Sequence, residues 1–343
     1  MNILVTGGAG FIGSHCVVEL LNSGHNVIIV DNFCNSKRGV INRIKMITER
    51  DFSFYEIDIT NYSDLRLVFQ NNKIDAIMHF AALKSGADSI ENPGLYYQNN
   101  IQSTFNLVKL MEEFGVKYIV FSSSATVYGN SSNVPILETE EIGNVISPYG
   151  MTKYLCELYL KSVSEQTGKI KTVCLRYFNP VGAHPSGLIG EDSPDAVPNN
   201  LILYLLDVAK GKLPFLKIYG SDYNTPDGSG IRDYIHVVDL AKGHIAALDY
   251  LVRENKNFDV FNLGTGHGHT VLDVVNTFKS VTGVDIPYKY VERRPGDVEI
   301  SYASVKKANE LLKWHTEKTL ADALMDVWTF KNKADSFDTH EEK

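Results

Sequence analysis

The segment from residue 2 to residue 13 constrains the fold more strongly than any other part of this 343-residue chain. An apolar run leads directly into Gly7, Gly10 and Gly13, which are spaced G-x-x-G-x-x-G, and an amphipathic stretch follows. Glycines at this spacing allow a tight turn, let backbone N–H groups approach a diphosphate, and let a helix pack closely on a strand. A plain tight turn is the alternative interpretation. The order of strand, turn and helix favours a dinucleotide-binding βα unit.

The residue that ends the second predicted strand distinguishes between two dinucleotides. Asp31 stands at that position, where a carboxylate can accept a hydrogen bond from a ribose hydroxyl and would repel a 2′-phosphate. The sequence therefore predicts NAD as the cofactor. Lys37 and Arg38 follow closely and leave NADP open as the alternative.

Residues 2 to about 180 alternate short, β-branched apolar runs with amphipathic stretches. This alternation is typical of a parallel sheet that is covered by helices on both faces. The predicted strands are residues 2–6, 26–31, 53–59, 76–81, 118–122 and 171–177. The predicted fold class is α/β, a Rossmann-type doubly wound parallel sheet with a smaller mixed α/β C-terminal substrate domain.

The composition changes beyond residue 180, where loops rich in Pro, Gly, Asn and Asp separate helical stretches. Long ordered loops tend to line binding sites. The predicted helices are residues 12–23, 97–114, 199–211, 238–253, 271–283, 304–312 and 320–330. We predict an NAD-binding domain over residues 1–180, rejoined by segments near 235–270, then a substrate-binding domain over 181–330 and a frayed polar tail over 331–343.

A tyrosine and a lysine, Tyr149 and Lys153, follow an N-cap signal made by Ser147 and Pro148. At this spacing they lie on the same side of a helix, and Tyr149 falls in the first turn, where the helix dipole favours a phenolate. A lysine charge at about 6 Å lowers a phenol pKa by about two units from its usual value near 10. The pattern predicts an acid/base tyrosine, although Y-x-x-x-K alone also occurs by chance on exposed helices.

The charge balance and the cysteines argue against several classes of protein. A net charge of -8 without a basic stripe disfavours a nucleic-acid partner, and no apolar run approaches the length of a membrane span. The cysteines are scattered and the histidines lack ligand spacing, so neither a metal nor disulfides are expected. The first predicted strand begins at residue 2, so we expect no signal peptide ahead of it and predict a cytoplasmic protein.

Six further blocks of sequence, in order along nearly the whole chain, carry a specific family pattern. They are DNFCNS at 31–36, SSSATVYG at 122–129, RYFNPVGAHP at 176–185, PNNL at 198–201, RDYIHV at 232–237 and RRPGD at 293–297. With the glycine spacing and Y-x-x-x-K, these blocks resemble the extended short-chain dehydrogenase/reductase family, and within it the UDP-glucose 4-epimerase branch.

The resemblance implies a catalytic set in which Tyr149 is the acid/base, Lys153 holds the nicotinamide ribose and lowers the pKa of Tyr149, and Ser124 hydrogen-bonds the sugar hydroxyl. The predicted cofactor site comprises Gly7, Gly10, Phe11, Ile12, Gly13, Asp31, Asn32, Phe33, Cys34, Asn35, Ser36, Asp58, Ile59, Phe80, Ala81, Ala82, Leu83, Lys84, Asn99, Ser124, Tyr149, Lys153 and Phe178. The predicted substrate site comprises Ser124, Tyr149, Asn179, Asn200, Leu201, Leu216, Tyr219, Arg232, Arg294, Asp297 and Ser301.

Several of these residues also have plainer explanations. Phe80, Ala81 and Ala82 could serve core packing as well as a cofactor. A guanidinium suits the diphosphate of UDP, but Arg232 could equally form a structural ion pair, and Asp297 could be an ordinary turn carboxylate.

The activity that the resemblance implies is NAD-dependent 4-epimerisation of UDP-hexoses through a transient 4-keto sugar and NADH. A sugar-nucleotide 4,6-dehydratase or a decarboxylase of the same family is the nearest alternative. Similar dehydratases place Asp-Glu after the serine or threonine, whereas this chain has Ala125 and Thr126, which disfavours elimination. A dinucleotide sensor without catalysis is an alternative of another class.

Two finer expectations also come from the resemblance. In the branch, a bulky tyrosine at the position of Ser301 excludes N-acetyl groups, so this small serine predicts that UDP-N-acetylglucosamine and UDP-N-acetylgalactosamine are also accepted. Alternatively, Tyr302 fills the space. A homodimer is expected through helices of the first domain, and residues 105–114 and 154–163 have enough apolar positions to allow it.

Overall fold

The computed structural model describes residues 1–131, 133–142, 145–192, 200–294 and 297–341, with side chains described as far as residue 334. Its α-helices are α1 Phe11–Asn22, α2 Gly39–Thr48, α3 Tyr62–Asn71, α4 Gly86–Glu91, α5 Pro93–Phe114, α6 Pro148–Thr167, α7 Leu201–Ala209, α8 Val237–Glu254, α9 Val271–Thr282 and α10 Leu320–Glu341. There are also a 3₁₀ helix, Ala125–Tyr128, and a π-helix, Ala308–Leu312. The strands are β1 Asn2–Thr6, β2 Asn26–Asp31, β3 Ser53–Glu56, β4 Ala76–His79, β5 Tyr118–Ser122, β6 Lys171–Tyr177, β7 Asn179–Val181, β8 Leu216–Tyr219, β9 Ile231–Arg232, β10 Tyr234–His236, β11 Phe258–Leu263, β12 His269–Thr270, β13 Tyr288–Val291 and β14 Ile300–Ser301.

A seven-stranded parallel sheet forms the centre of the fold, in the order β11-β6-β5-β4-β1-β2-β3. Helices α1, α2 and α8 pack on one face, and α3, α5 and α6 pack on the other. The chain changes direction across the sheet beside β1, and ligands of such folds bind at the carboxyl ends of the strands near this point. The predicted α/β class with a Rossmann-type doubly wound sheet is confirmed.

The first strand shows why these sequences form this sheet. Ile3 and Val5 belong to the core on one face, whereas Leu4 belongs to the core on the other. Successive side chains of a strand point to opposite faces, so a strand that is covered on both sides must be apolar throughout. This explains why the continuous apolar runs of the sequence predicted the parallel sheet.

Some boundaries differ from the predictions. β3 ends at Glu56 and β4 at His79, earlier than predicted, and after β4 the backbone N–H groups of Phe80 and Ala81 both donate to the carbonyl of Thr6. At the other end of the chain, α10 runs to Glu341. The segment predicted as a frayed tail is therefore helical as far as that residue.

The C-terminal part of the chain contributes both to the sheet and to a core of its own. β11 pairs in parallel with β6, so a segment from beyond residue 180 supplies an edge strand of the first sheet. Helices α7, α9 and α10 enclose a separate core that includes Leu205, Phe278 and Leu324. The domain limits themselves stay predictions. Of the helices that the structure describes, none is both long enough and apolar enough to cross a bilayer.

Candidate active site

Two adjoining cavities open at the carboxyl ends of the parallel strands. The glycine-loop cavity is lined by residues that follow β1 to β5, among them Gly7, Asp31 and Asp58. The arginine cavity lies between this edge of the sheet and the C-terminal elements, and Arg232 and Arg294 line it. The residues that line both cavities form a shared wall: Phe11, Ile12, Lys84, Tyr149 and Tyr177.

The glycine loop leaves no room for side chains. Gly7 has a φ of +71°, and a Cβ added there would lie 2.7 Å from the backbone nitrogen of Ala81. A Cβ on Gly13 would lie 2.1 Å from the carbonyl oxygen of Gly7. Helix α1 begins after Gly10, with no side-chain hydrogen bond capping it, so its first N–H groups can bind an anion. The loop therefore fits the diphosphate of a dinucleotide.

Asp31 holds the glycine loop against the segment that follows β2. One carboxylate oxygen accepts from the N–H of Ala9 at 3.0 Å, and the other accepts from the hydroxyl of Ser36 at 3.0 Å. Nearby, Lys37 pairs with Asp192 at 2.7 Å, and Arg38 forms an ion pair with Glu56. Lys37 and Arg38, the two cations that could have bound the 2′-phosphate of NADP, thus already have carboxylate partners. Asp31, the carboxylate that favours NAD, lines the cavity.

Most of the predicted cofactor residues line the glycine-loop cavity. Two others, Ser124 and Phe178, line the arginine cavity instead, on the far side of the shared wall. Four lining residues close to the carboxyl ends of strands were missed, although the rule that ligands bind at these ends could have found them. These are Val30, Ile57, Ser122 and Tyr177.

Two predicted cofactor residues, Phe33 and Leu83, line neither cavity. The ring of Phe33 packs under the guanidinium of Arg38, whose Cζ lies 5.0 Å from the ring centroid. Leu83 is fixed by its backbone, since its N–H donates to Asn100 Oδ1 at 2.9 Å and its carbonyl accepts from Asn100 Nδ2 at 3.1 Å. Their side chains are therefore not brought to the site.

Helix α6 presents Tyr149 and Lys153 to the glycine-loop cavity as its sequence predicts. Pro148 is its first residue, and the side chain of Ser147 caps the helix by accepting from the N–H of Gly150 at 3.2 Å. The Nζ of Lys153 lies 5.9 Å from the ring centroid of Tyr149 and donates to the carbonyl of Ser122 at 2.7 Å. Both side chains are buried, so the charge of the Lys153 ammonium is poorly screened at the phenol.

Burial is the largest influence on the pKa values of Tyr149 and Lys153. Burial raises the pKa of Tyr149 to about 12, and a hydrogen bond from Ser124 opposes this rise only in part. Burial also lowers the pKa of Lys153 to about 8. Burying a phenolate is costly, so burial opposes the effect of the nearby lysine charge, and the lowering of the Tyr149 pKa by Lys153 stays a prediction.

The arginine cavity collects almost all of the predicted substrate residues. Arg232 forms an ion pair with Asp297, and both residues line the cavity. The arginine thus makes the ion pair that was the alternative interpretation and still faces the cavity. The guanidinium of Arg294 stacks 3.9 Å from the ring centroid of Tyr219. Asn200 caps α7 by accepting from the N–H of Leu203. The lining residues from the predicted set are Ser124, Tyr149, Asn179, Asn200, Leu201, Leu216, Tyr219, Arg232, Arg294 and Asp297.

Ser301 does not line the arginine cavity. It lies in β14, where it pairs in parallel with Arg232 of β9, so the two side chains share one face of this small sheet. Serine is too short to reach the cavity from there. Of the predicted sequence blocks, residues 198–199 and 295–296 lie outside the described residues. Among the side chains that are described, no group of three His, Cys, Asp or Glu is arranged to hold a metal ion.

Residues 3–264 match the sequence model of the NAD-dependent epimerase/dehydratase family. The chain belongs to this family. Because the family is NAD-dependent, the prediction of NAD as the cofactor is confirmed, and the glycine loop is the part of the structure that fits it.

Relatives within the epimerase/dehydratase family match the chain over nearly its whole length. UDP-glucose 4-epimerase of Pasteurella multocida is 47% identical, with 97% of this chain and 98% of the relative covered. The structure of UDP-glucose 4-epimerase from Stenotrophomonas maltophila, with bound NAD and formylated UDP-arabinopyranose, has a TM-score of 0.95 at 43% identity, over 98% of this chain and 99% of that one. The enzyme from Bifidobacterium longum, in complex with NAD+ and UDP, has a TM-score of 0.93 at 45% identity, over 97% and 98%. The predicted resemblance is confirmed.

Proposed function

We propose that this member of the family interconverts UDP-hexoses that differ at C4, with NAD in the glycine-loop cavity and UDP in the arginine cavity. One observation carries the proposal: Tyr149 stands on the wall that the two cavities share. A phenol at this position can meet a nicotinamide from one side and a sugar hydroxyl from the other. A dinucleotide sensor would need only the first contact.

Tyr149 of the shared wall carries out the proton transfer, assisted by one residue from each cavity. NAD held in the glycine-loop cavity would supply the acceptor for a hydride from C4 of the sugar and the donor that returns this hydride to the opposite face. Tyr149 removes the proton of the 4-hydroxyl and gives it back after the sugar has turned. Ser124 lies beside it and donates to the phenolate. Lys153, held by Ser122, supplies positive charge below the phenol, to which the oxidised nicotinamide adds.

The arginine cavity suits firm binding of UDP and loose binding of the hexose. Arg232 and Arg294 supply guanidinium groups for the diphosphate, and Arg232 would exchange its contact with Asp297 for phosphate oxygens. Tight binding of the sugar itself would stabilise one orientation and slow the turn between the two hydride transfers. This reaction therefore requires tight binding of the UDP portion and weak binding of the hexose.

The sequence after Ser124 favours epimerisation over elimination. Ala125 and Thr126 form the start of the 3₁₀ helix that Ser124 caps, and neither side chain can act as the extra acid that removal of water needs. Conversion of UDP-galactose to UDP-glucose by the purified chain, without added NAD, tests the proposal. If NAD is bound but no sugar is converted, the chain is a sensor; if a 4-keto-6-deoxy sugar accumulates, it is a dehydratase.

We also infer that N-acetylated UDP-hexoses are substrates, because Ser301 is small and adjoins Arg232. Replacing Ser301 with tyrosine should extend a ring from β14 toward the arginine cavity. We expect this change to lower kcat/KM for UDP-N-acetylglucosamine by about tenfold to 100-fold and to leave UDP-glucose nearly unaffected. Steady-state kinetics on the plain and N-acetylated UDP-hexoses measures both.

The matched control for this change is Ser301→Ala, which keeps the position small and should preserve both activities. Equal loss on both classes of sugar in the tyrosine variant would contradict selection at this position. Absence of N-acetyl activity in the unchanged chain would contradict the wider specificity.

We further propose a homodimer through the exposed faces of α5 and α6. Phe105 and Leu158 are 42% and 44% exposed, and Phe105 packs against Tyr159 of the neighbouring helix with 4.3 Å between ring centroids. Replacing Leu158 with glutamate should convert the dimer to a monomer, because an unpaired charge would be buried in the interface. Light scattering on the eluting protein measures the mass.

The location we propose is the cytoplasm, since Cys16, Cys34, Cys156 and Cys174 are free thiols.

The control for the dimer prediction is Leu67→Glu, because Leu67 is 55% exposed on α3 and should tolerate a charge without any change of mass. A monomeric unchanged chain would refute the interface, as would a dimer that survives the substitution of Leu158.

A further inference from the structure

Helix α6 carries a buried carboxylate, Glu157, one turn beyond the two side chains that reach the cavities. Tyr149, Lys153 and Glu157 recur at intervals of one turn and lie on one side of the helix. Glu157 is only 3% exposed and lines neither cavity. It therefore does not touch a ligand, yet a buried carboxylate persists only where its charge and hydrogen bonds are satisfied.

One carboxylate joins three different parts of the site. Arg176 of β6 donates from Nη2 to Glu157 Oε2 at 2.6 Å and from Nε to Oε1 at 3.0 Å. The hydroxyl of Ser123 also donates to Oε1. Glu157 thus fixes helix α6 to strand β6 and to the short segment that follows β5.

The segment held by Glu157 contains the contacts of the proposed reaction on both sides of Ser123. The carbonyl of Ser122 accepts the hydrogen bond from Lys153 Nζ at 2.7 Å. Ser124 lines the arginine cavity and hydrogen-bonds Tyr149. A shift of Ser123 would move both partners of the catalytic helix at once.

The remaining terminal nitrogen of Arg176, Nη1, holds the C-terminal end of the same segment at Tyr128. Arg176 Nη1 donates to the hydroxyl of Tyr128 at 3.1 Å, and that hydroxyl donates to Asn262 Oδ1 in β11 at 2.6 Å. Tyr128 ends the 3₁₀ helix that Ser124 caps. We call residues 122–128 the serine segment. The pair of Glu157 and Arg176 therefore holds this segment at Ser123 and again at Tyr128.

We propose that Glu157 and Arg176 are positioning residues that keep Ser122 and Ser124 aligned with Tyr149 and Lys153. The inference rests on the proposed function, since alignment is defined by that reaction. Burial of an ion pair is by itself weak evidence for a gain in stability. This pair differs from other buried ion pairs because Glu157 also binds Ser123, whose two neighbours, Ser122 and Ser124, contact Lys153 and Tyr149.

The charges around Lys153 give the proposal a pH-dependent readout. Glu157 raises the pKa of Lys153 against the larger effect of burial, which lowers it to about 8. Glutamine at this position would leave the Arg176 charge unbalanced and lower that pKa further. The titratable and charged groups that interact with Lys153 or Glu157 are His79 of β4, Tyr128, Tyr149, Cys156, and Cys174 and Arg176 of β6. Glu138 and Tyr177 lie one contact further away, beside Tyr128 and Tyr149 respectively.

The test compares two variants of the holoenzyme that act on the link in different ways. Ser123→Ala removes only the hydroxyl that joins the serine segment to Glu157, whereas Glu157→Gln also removes the charge. We expect kcat for UDP-galactose to fall about tenfold and about 100-fold respectively, because small misalignments are costly. The KM and the Kd for NAD, measured by calorimetry, should change little, since neither residue lines a cavity.

The pH profile separates alignment from charge. In Glu157→Gln the alkaline limb of kcat should move to lower pH, because Lys153 loses its proton more readily. In Ser123→Ala the profile should keep its position while its height falls. The double variant Glu157→Gln/Arg176→Gln removes both charges, so it should restore the position of the limb without restoring the rate.

The matched control is Ser164→Ala. Ser164 lies on the same helix and hydrogen-bonds Thr172 of β6 at 2.8 Å, also in a buried setting, but away from the serine segment. This variant should lower Tm without changing kcat. If the variants at Ser123 and Glu157 behave as this control does, the positioning role is refuted while the proposed function stands. If the unchanged chain does not epimerise UDP-galactose, the proposed function itself fails.

Discussion

Replacing Tyr149 with phenylalanine is expected to lower kcat for UDP-galactose epimerisation by about 10³-fold or more, with NAD still bound. The change removes only the hydroxyl, and positioned acid/base groups contribute factors of this order. The ring stays on the shared wall, so neither cavity should collapse. Rates from a coupled UDP-glucose assay, together with the NAD content of the purified variant, measure the two effects separately.

The control for this substitution is Tyr159→Phe, which removes a phenol from the same helix, where the ring packs against Phe105 and away from both cavities. Its kcat should match that of the unchanged chain. A Tyr149→Phe variant that retained a near-normal rate would exclude the assigned role, and the proton would then have to be handled by another group.

Replacing Gly13 with alanine is expected to abolish retention of NAD and to lower the free energy of unfolding by about 3 kcal/mol. The added Cβ would lie 2.1 Å from the carbonyl oxygen of Gly7, and backbone cannot yield as a flexible side chain can. Relief requires α1 to move away from β1, which would carry the N–H groups of the loop away from the diphosphate. Denaturant unfolding and the NAD content of the purified protein measure both effects.

The paired substitution Gly94→Ala adds the same methyl group to a helix where nothing lies within 4 Å. It should leave NAD bound and stability unchanged or slightly raised, since alanine has the higher helix propensity. Full NAD occupancy in Gly13→Ala, with unchanged stability, would show that the close approach of helix and strand is not needed.

The sequence was most informative where a residue acts through its immediate neighbours. β1, β2, β5 and β6 have the predicted bounds because continuous apolar runs suit strands that are buried on both faces. The glycine spacing predicted the cofactor loop for a similar reason, since the close approach of Gly13 to the carbonyl oxygen of Gly7 is local in the chain. Ser147 and Pro148 likewise predicted the start of α6.

Features set by distant parts of the chain could not be predicted in this way. Burial raises the pKa of Tyr149 to about 12, and burial depends on tertiary packing that the local pattern of residues does not specify. The pairing of Arg232 in β9 with Asp297 joins residues that are 65 positions apart in the chain. β13 was not predicted because Tyr288–Val291 is largely exposed and lacks the apolar run of a buried strand. Whether the side chain of Ser301 reaches the arginine cavity depends on its register with β9.

The edge strand β11 has a consequence for synthesis of the chain. Until residue 263 has left the ribosome, β6 has no neighbour on its outer side and exposes unpaired backbone groups, which are a template for aggregation. The sheet that binds NAD therefore cannot close as soon as its own contiguous stretch has been translated. The part of the arginine cavity that comes from residues 179–232 is made before β11 completes this sheet, so the two halves mature together rather than one after the other.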